Sequence, residues 1–318
     1  MSFNVSALTD YTAENQFELM TATVLGAKMM SLVTVIPNIK GASKLPQLSQ
    51  SVIFQDDACS FDASGTTTFS QRTLTPGKVK INDSWCPKDL EPKYLSQEMA
   101  AGAHHENVTP DYVWQSIMNE YTTQVARDID IAIWKGEDGT GSGNNGHWDG
   151  FITLLSSGTT DADSGGSISD LGDPTQAVSA QKLVYQAAAA AGLTDFDDFR
   201  VFVGYDDYAA LVTGLMNAGL TYGTYLNGFG NSDTNPDSSE GLSFPGTGLR
   251  IVPVVGLNGT NKLYAGRLSN FFVGVDAEGD FDSLETWYSQ DDRVVKLAME
   301  FKVGCQVAFP AEVITILP

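Results

Sequence analysis

Residues 110–135 constrain this chain more than any other stretch. Trp114, Ile117, Met118, Tyr121, Val125, Ile129, Ala132 and Ile133 form one continuous apolar stripe at helical spacing. Thr109 stands in front as an N-cap and Pro110 occupies the first helical position. Lys135 and Gly136 then supply a cation for the last turn and a C′ glycine. The pattern predicts a rod of roughly 39 Å at 1.5 Å per residue. A helix of that length is a spine around which other elements must be arranged.

The C-terminus gives the clearest strand. Val295, Leu297, Met299, Phe301 and Val303 alternate with Val294, Lys296, Ala298, Glu300 and Lys302, a period of two. Gly304 is expected to turn or bulge it, with extended chain resuming at Gln306–Phe309 and Glu312–Ile316. Between spine and C-terminus the pattern is mixed. Ser179–Ala191 reads as an Ala-rich helix closed by Gly192, Arg200–Val203 as a buried strand and Tyr205–Asn217 as a helix. Leu249–Val255 and Lys262–Ala265 read as strands joined in a hairpin around Asn258-Gly259. Phe271–Val275 is a further strand, and the region reads as a compact α/β domain.

Residues 38–86 differ in character. Gly, Ser, Thr and Asp dominate, and short extended runs are separated by Asp62-Ala63-Ser64-Gly65 and Thr75-Pro76-Gly77. This predicts a long hairpin with little apolar content, which needs another surface to lean on. Residues 8–33, with Phe17, Met20, Val24, Ala27 and Leu32 on one stripe, read as helix until Pro37.

The charge balance narrows the function. In 318 residues, 18 Lys and Arg stand against 39 Asp and Glu, a net charge of −21. That excludes nucleic-acid binding by phosphate neutralisation and disfavours anionic lipid. No run approaches a membrane span, and Met1–Asp10 has neither the basic nor the apolar part of a signal peptide. Cys59, Cys86 and Cys305 lie far apart and are expected as reduced thiols in a chain made in the cytosol.

Chemical motifs are weak. Adjacent His104-His105 point to different faces of any regular element, so Glu106 and the pair make a poor metal site. His147-Trp148-Asp149 has no nucleophile motif beside it, and Gly241-Leu242-Ser243-Phe244-Pro245 fails GxSxG at its last position. Gly139–Gly143 lacks the Lys and Ser/Thr of a phosphate loop and follows a helix instead of opening one, so it reads as a flexible loop. The acidic runs 161–173 and 233–240 lack EF-hand spacing. Asp197-Asp198, Asp206-Asp207 and Asp291-Asp292 are adjacent rather than facing. No catalytic, cofactor-binding or metal residue is assigned. A core, a spine, a projecting hairpin and no catalytic set describe an assembly subunit better than an acidic secreted hydrolase, the rival reading.

The order of parts resembles the major capsid proteins of tailed phages of the Hong Kong 97 type. The resemblance runs through Phe69–Pro76 into Lys78–Asn82, Cys86–Leu90, Trp134–Glu137, Asp149–Ile152, Lys262–Gly266, Asn270–Asp276 and Arg293–Pro310. It covers nearly the whole chain, and no single motif is diagnostic. It implies an α+β fold with an N-terminal arm at 1–37, an extended E-loop hairpin at 38–86, and a peripheral (P) domain at 87–165 with spine helix 110–135. An α/β axial (A) domain at 166–280 and P-domain return strands at 281–318 complete it. The function implied is a structural subunit of an icosahedral shell, forming pentamers and hexamers around double-stranded DNA without sequence-specific binding and without a membrane. Its location would be the virion capsid, assembled in the host cytoplasm, with scaffolding, portal and decoration proteins as further partners; the second rival reading, another virion structural protein such as a tail-tube or decoration protein, is usually shorter and all-β.

Three departures matter, one being the Gly-rich loops 139–146 and 227–248, expected as family-variable insertions with no assigned role. No long charged helical segment precedes the arm, which implies a mature-length subunit with any scaffold separate. Some members join subunits by a Lys–Asn isopeptide bond, but Asn is absent from Phe271 to Pro318. Lys44, Arg72, Lys78 and Lys80 are four of the 18 basic residues and fall in the expected hairpin. They are the candidate inter-subunit contacts, set against the alternative that they serve only solubility.

Overall fold

The computed structural model describes residues 27–57, 59, 64–86, 111–141, 143–217, 242–244, 247, 249–276, 284–292 and 294–318. The helices are α1 (Lys28–Leu32), α2 (Asp111–Lys135), α3 (Phe151–Leu154), α4 (Pro174–Ala190) and α5 (Tyr205–Asn217). The strands in the first part are β1 (Thr34–Ile36), β2 (Ser43–Ser51), β3 (Thr66–Leu74), β4 (Gly77–Trp85) and β5 (Thr160–Asp161). Those that follow are β6 (Phe199–Val203), β7 (Leu242–Ser243), β8 (Arg250–Pro253), β9 (Leu263–Arg267), β10 (Phe271–Val275), β11 (Leu284–Ser289), β12 (Val294–Val307) and β13 (Ile314–Ile316).

The expected long helix is present as α2, 25 residues long. Met118, Val125, Ile129, Ala132 and Ile133 are buried on its stripe, while Glu120, Thr123 and Arg127 are exposed. Lys135 closes the helix by donating from Nζ to the Asn258 carbonyl at 2.7 Å. The Trp114 side chain and the expected helix before Ala27 lie outside the described residues.

A five-stranded sheet is organised on β12. Val303 is in register with Val275 of β10 and with Gly77 of β4. A residue has only two neighbours across a ladder, so β10 and β4 lie on opposite edges of β12. The same logic puts β11 opposite β4, because both pair with residues 295–299. Thus β10 and β11 run end to end along one edge, β4 holds the other, and β1 adds in parallel to β10. The inner face carries Val295, Leu297, Met299, Phe301 and Val303, which share one buried cluster with the α2 stripe. Met29, Met30 and Val33 belong to the same cluster. Ala27, Met29, Met30 and Val33, within the expected arm, are therefore packed into this core.

The second sheet runs β5-β13-β9-β6-β8-β7. Its inner strands β6, β8, β9 and β13 are mostly apolar and buried because both faces are covered, whereas the edge strand β5, Thr160-Asp161, is exposed. Val201, Val203, Ile251, Leu263 and Ala265 pack with Val184, Ala188, Leu211 and Leu215 of α4 and α5. The alternate residues Phe202, Val252 and Tyr264 turn toward the α2 core. Trp134, at the end of α2, meets Phe151, Phe202 and Tyr264 at ring-centroid distances of 5.4, 5.3 and 5.6 Å. Phe271 closes the group against Phe151 and Phe202. Gly256 is required here, since a Cβ would sit 2.6 Å from the Trp134 side chain.

Several expectations are corrected. β4 was expected in the hairpin but lies in the five-stranded sheet, which leaves β2 and β3 as the two hairpin strands. The strands flanking Asn258-Gly259 do not pair with each other, because β6 lies between them, parallel to β8 and antiparallel to β9. Gly304 neither turns nor bulges β12. It lets Thr75 and Pro76 approach, as a Cβ would be 2.7 Å from the Thr75 carbonyl oxygen. The boundary expected at 280 does not follow the sheets, since β10 joins the five-stranded sheet and β13 the six-stranded one. The described residues of the Gly-rich loop 136–146 are tied by hydrogen bonds. Glu137 N–H donates to Asn145 O, Gly141 N–H to Glu137 O, and Asn144 Nδ2 to Asp128. Helix α4 starts earlier than expected, at Pro174, because Asp173 caps it through Thr175 and Gln176 N–H.

Candidate functional site

The hairpin is built as a ribbon with an anchored base and an uncovered tip. Its register runs from Ser43 opposite Leu74 to Ser51 opposite Thr66. At the base, Leu45 and Leu74 close on Ile39 in a small buried cluster flanked by Ile36 and Phe272. Gln306 Nε2 donates to the Thr73 carbonyl at 2.6 Å, and Gln47 Nε2 donates to the Ala308 carbonyl. Ser70 Oγ donates to Gln47 Oε1 at 2.8 Å, holding that side chain in place. The hairpin is thereby fastened to the end of β12.

Beyond the base, the side chains of both strands are exposed on both faces, with Arg72 and Gln47 half-buried. A lone two-stranded ribbon of this kind is marginal in water. Its tip carries Leu48, Val52, Ile53, Phe54 and Phe69, five of the ten large apolar side chains exposed among the described residues. Phe54 is 97% exposed and Phe69 80%. Leu48 and Phe69 face each other across the ribbon. Apolar content is low, as expected, but it is concentrated at the tip and turned outward. Composition alone hid that patch; the run Val52-Ile53-Phe54 beside a turn was the available signal.

The four basic candidates divide between two elements. Lys44, exposed, and Arg72 lie on the hairpin, opposite Thr73 and Leu45. Lys78 and Lys80, both exposed, lie on β4, opposite Lys302 and Glu300. They are not one basic hairpin. Lys302 is itself paired with the buried Asp276 at 2.6 Å.

The carboxylates serve as local acceptors. Asp163 accepts from the Ser167 hydroxyl and from the Ile168 and Ser167 N–H groups, which hold it below the ordinary range. For Asp198 burial pulls upward, yet hydrogen bonds from Ser269 and Arg267 keep it lowered. Asp292 is lowered by hydrogen bonds from Lys296 and Ser289. Asp207 behaves differently: burial first, then the charges of Asp206 and Asp170, push it up to about 6. Asp149 accepts from Asp138 N–H, and Trp148 is buried. All three cysteines are free thiols, and burial pushes Cys305 up. Among the described residues no group of three or more His, Cys, Asp or Glu is placed to hold a metal ion, and no helix is long and apolar enough to cross a membrane. His104, His105 and the 233–240 run lie outside the described residues.

Architecture connects this chain to known proteins. It is similar to the cyanophage A-1(L) capsid asymmetric unit, with 14% identity, 91% of this chain and 92% of that chain covered, and a TM-score of 0.62. The satellite phage P4 procapsid structure, which includes the size determination (Sid) protein, matches at 10% identity, 97% and 90% coverage and a TM-score of 0.57. A structure from Gordonia phage Cozz matches at 14% identity, 92% and 86% coverage and a TM-score of 0.56. No protein-family model matches the chain, and no curated protein does. The fold is therefore a phage capsid fold, matched over 91–97% of the chain at 10–14% identity.

Proposed function

We propose that this chain is a major capsid protein, the structural subunit of an icosahedral phage head that encloses double-stranded DNA. The observation that carries the reading is the hairpin, a ribbon exposed on both faces that ends in an apolar tip, mounted on a capsid fold. Burying such a tip requires another molecule, and in a closed symmetric shell that molecule is another copy of the chain. In this reading β2 and β3 are the E-loop and α2 is the spine helix of the P domain. The six-stranded sheet with α4 and α5 is the core of the A domain, and capsomers are pentamers and hexamers.

The net charge of −21 fits the inner wall of a container for DNA. An acidic lining repels the genome and limits sticking during packing and release. Scaffolding, portal and decoration proteins are the further partners this role calls for, and the virion is its location. Assembly takes place in the host cytoplasm. The test is electron microscopy of the purified chain over a concentration and salt series, alone and with the phage's scaffolding protein. Rings, capsomers or shells are expected. A uniform monomer under every condition overturns the reading.

A further inference from the structure

Asp207, in the first turn of α5, is only 9% exposed, and its Oδ2 finds no hydrogen-bond partner among the described residues. Two further carboxylates act on it: Asp206, beside it on α5, and Asp170, on the loop that leads into α4. A buried carboxylate with an unsatisfied oxygen and two like charges nearby is a costly arrangement. Something must hold it together.

The connection between β8 and β9 does so. At one end Asn258 Oδ1 accepts the Tyr205 N–H at 2.7 Å, and Asp206 Oδ2 accepts the Gly259 N–H at 3.1 Å. These bonds fix the connection to the start of α5. At the other end Asn261 grips the loop. Its Oδ1 accepts the Leu171 N–H at 2.7 Å, and its Nδ2 donates to the Ser169 carbonyl at 3.2 Å. Asn261 does this from φ 52°, in the left-handed region that is unfavourable for a residue with a Cβ. Gln176 Oε1 accepts the Ser169 and Asp170 N–H groups, but that ties the loop to α4 and not to α5.

We infer that residues 169–172 form a proton-controlled clasp, closed against the start of α5 while Asp207 carries a proton and opened more often once Asp207 is ionised. The inference is independent of the capsid reading. Protonated, Asp207 adds no charge and supplies an O–H donor to a group otherwise made of acceptors. Ionised, it makes a third negative charge where burial weakens screening. The loop carries one of the three, so its release separates Asp170 from Asp207 and lets water reach the buried oxygen. The burial of Leu171, 2% exposed, and the two Asn261 bonds oppose release. The closed form therefore stays in the majority, and the proton sets how often it opens.

No cation offsets the charge. The charges that act on Asp207 are both negative. Lys28 and Lys135 border the region, but their Nζ atoms donate to the Pro253 and Asn258 carbonyls. Lys262, half-buried, makes no ion pair among the described residues, and Lys182, the only charged side chain on α4, is exposed. Asp173 is engaged as the α4 cap, and residues 258–261 carry no titratable side chain. Tyr208, the next residue of α5, is a phenol that burial makes still harder to ionise.

Amide exchange on the full chain between pH 4 and pH 7.5, corrected for the intrinsic effect of pH, tests the clasp. The Leu171 amide is expected to lose protection at least about tenfold over that range, with a ceiling of roughly sixtyfold for a group that passes from about 6 to 3.8 on release. Asp207→Asn is expected to keep the protection near its pH 4 level throughout, and Asp170→Asn to lessen the loss. Asn261→Ala should leave Leu171 poorly protected at every pH. The inference is overturned by no loss in the wild type or by an equal loss in Asp207→Asn. It is overturned equally by a loss matched in the β6 amides, which would report global unfolding. If Asp207→Asn does not fold, Asp170→Asn decides in its place, and a loss as large as in the wild type overturns the clasp.

Discussion

Asp130 Oδ1, inside the flank of the long helix, accepts the backbone N–H of Met29 at 3.0 Å. Asp130 is only 3% exposed, and burial raises its pKa against the pull of that hydrogen bond and of Lys28. Lys28 in turn donates to the Pro253 carbonyl at 2.9 Å and lies over the Tyr205 ring. The short helix α1 is thus stitched to α2 by one residue and to the second sheet by its neighbour. Asp130→Ala leaves a buried N–H without an acceptor, which costs about 1–3 kcal/mol. Asp130→Asn keeps an acceptor and removes the buried charge, so it should melt above the alanine variant. Urea unfolding of both against wild type measures the difference, and equal midpoints for the two variants would disprove the role.

Asp207 gives the chain a pH dependence with a defined sign. Its value rises from 3.8 in the unfolded chain to about 6 in the fold. Between those pH values the folded state holds more protons than the unfolded one, so stability falls as pH rises through the window. The fall is at most about 3 kcal/mol, at 1.36 kcal/mol per unit. Asp207→Asn should remove it, melting higher than wild type at pH 7.5 and close to it at pH 4. Melts across that range that run parallel would show that Asp207 is not the group.

Arg72→Glu separates assembly from folding. Arg72 is half-buried on the hairpin, opposite Leu45, and makes no ion pair among the described residues. Exposed charge pairs between subunits are each worth about 0–1 kcal/mol and are screened by salt, but a shell repeats them many times. The subunit melt is expected to stay within about 2 °C of wild type while particle yield falls, most at low salt. Normal yield across the salt series would show that the residue serves solubility alone.

No covalent network should join the subunits. The strands after Phe271 contain no asparagine to meet a lysine, and all three cysteines are free. Particles boiled in detergent and reductant are expected to give one band near 34.1 kDa. A ladder that survives that treatment contradicts the prediction.

What was legible in the sequence was what is encoded locally. The long helix carries its stripe and its stop within itself, and Tyr205–Asn217 and Phe271–Val275 were read to the residue for the same reason. The alternation of β12 was equally plain. Partnership was not legible. Nothing in Lys78-Val79-Lys80-Ile81 distinguishes a strand that pairs with β3 from one that pairs with β12, more than 200 residues away in sequence. Asn258-Gly259 is a good turn pair, with Gly259 at φ 66°, yet the turn joins strands separated by a third. Gly304 looked like punctuation because a close approach by a distant backbone leaves the same single-residue mark as a bend. At the candidate site the basic residues were visible but their division between two elements was not. The exposed tip was missed because three consecutive apolar residues look the same whether they are buried or bare.

The aromatic cluster around Trp134 has a mechanical consequence. Rings from α2, α3, β6, β9 and β10 meet there at centroid distances of 5.1–5.6 Å, and Gly256 leaves no room for a Cβ beside Trp134. One sheet cannot tilt against the other without prising those rings apart and opening a void the size of a side chain. Such a body resists bending, and in the capsid reading the curvature of a surface paved with it is set at the joints between copies.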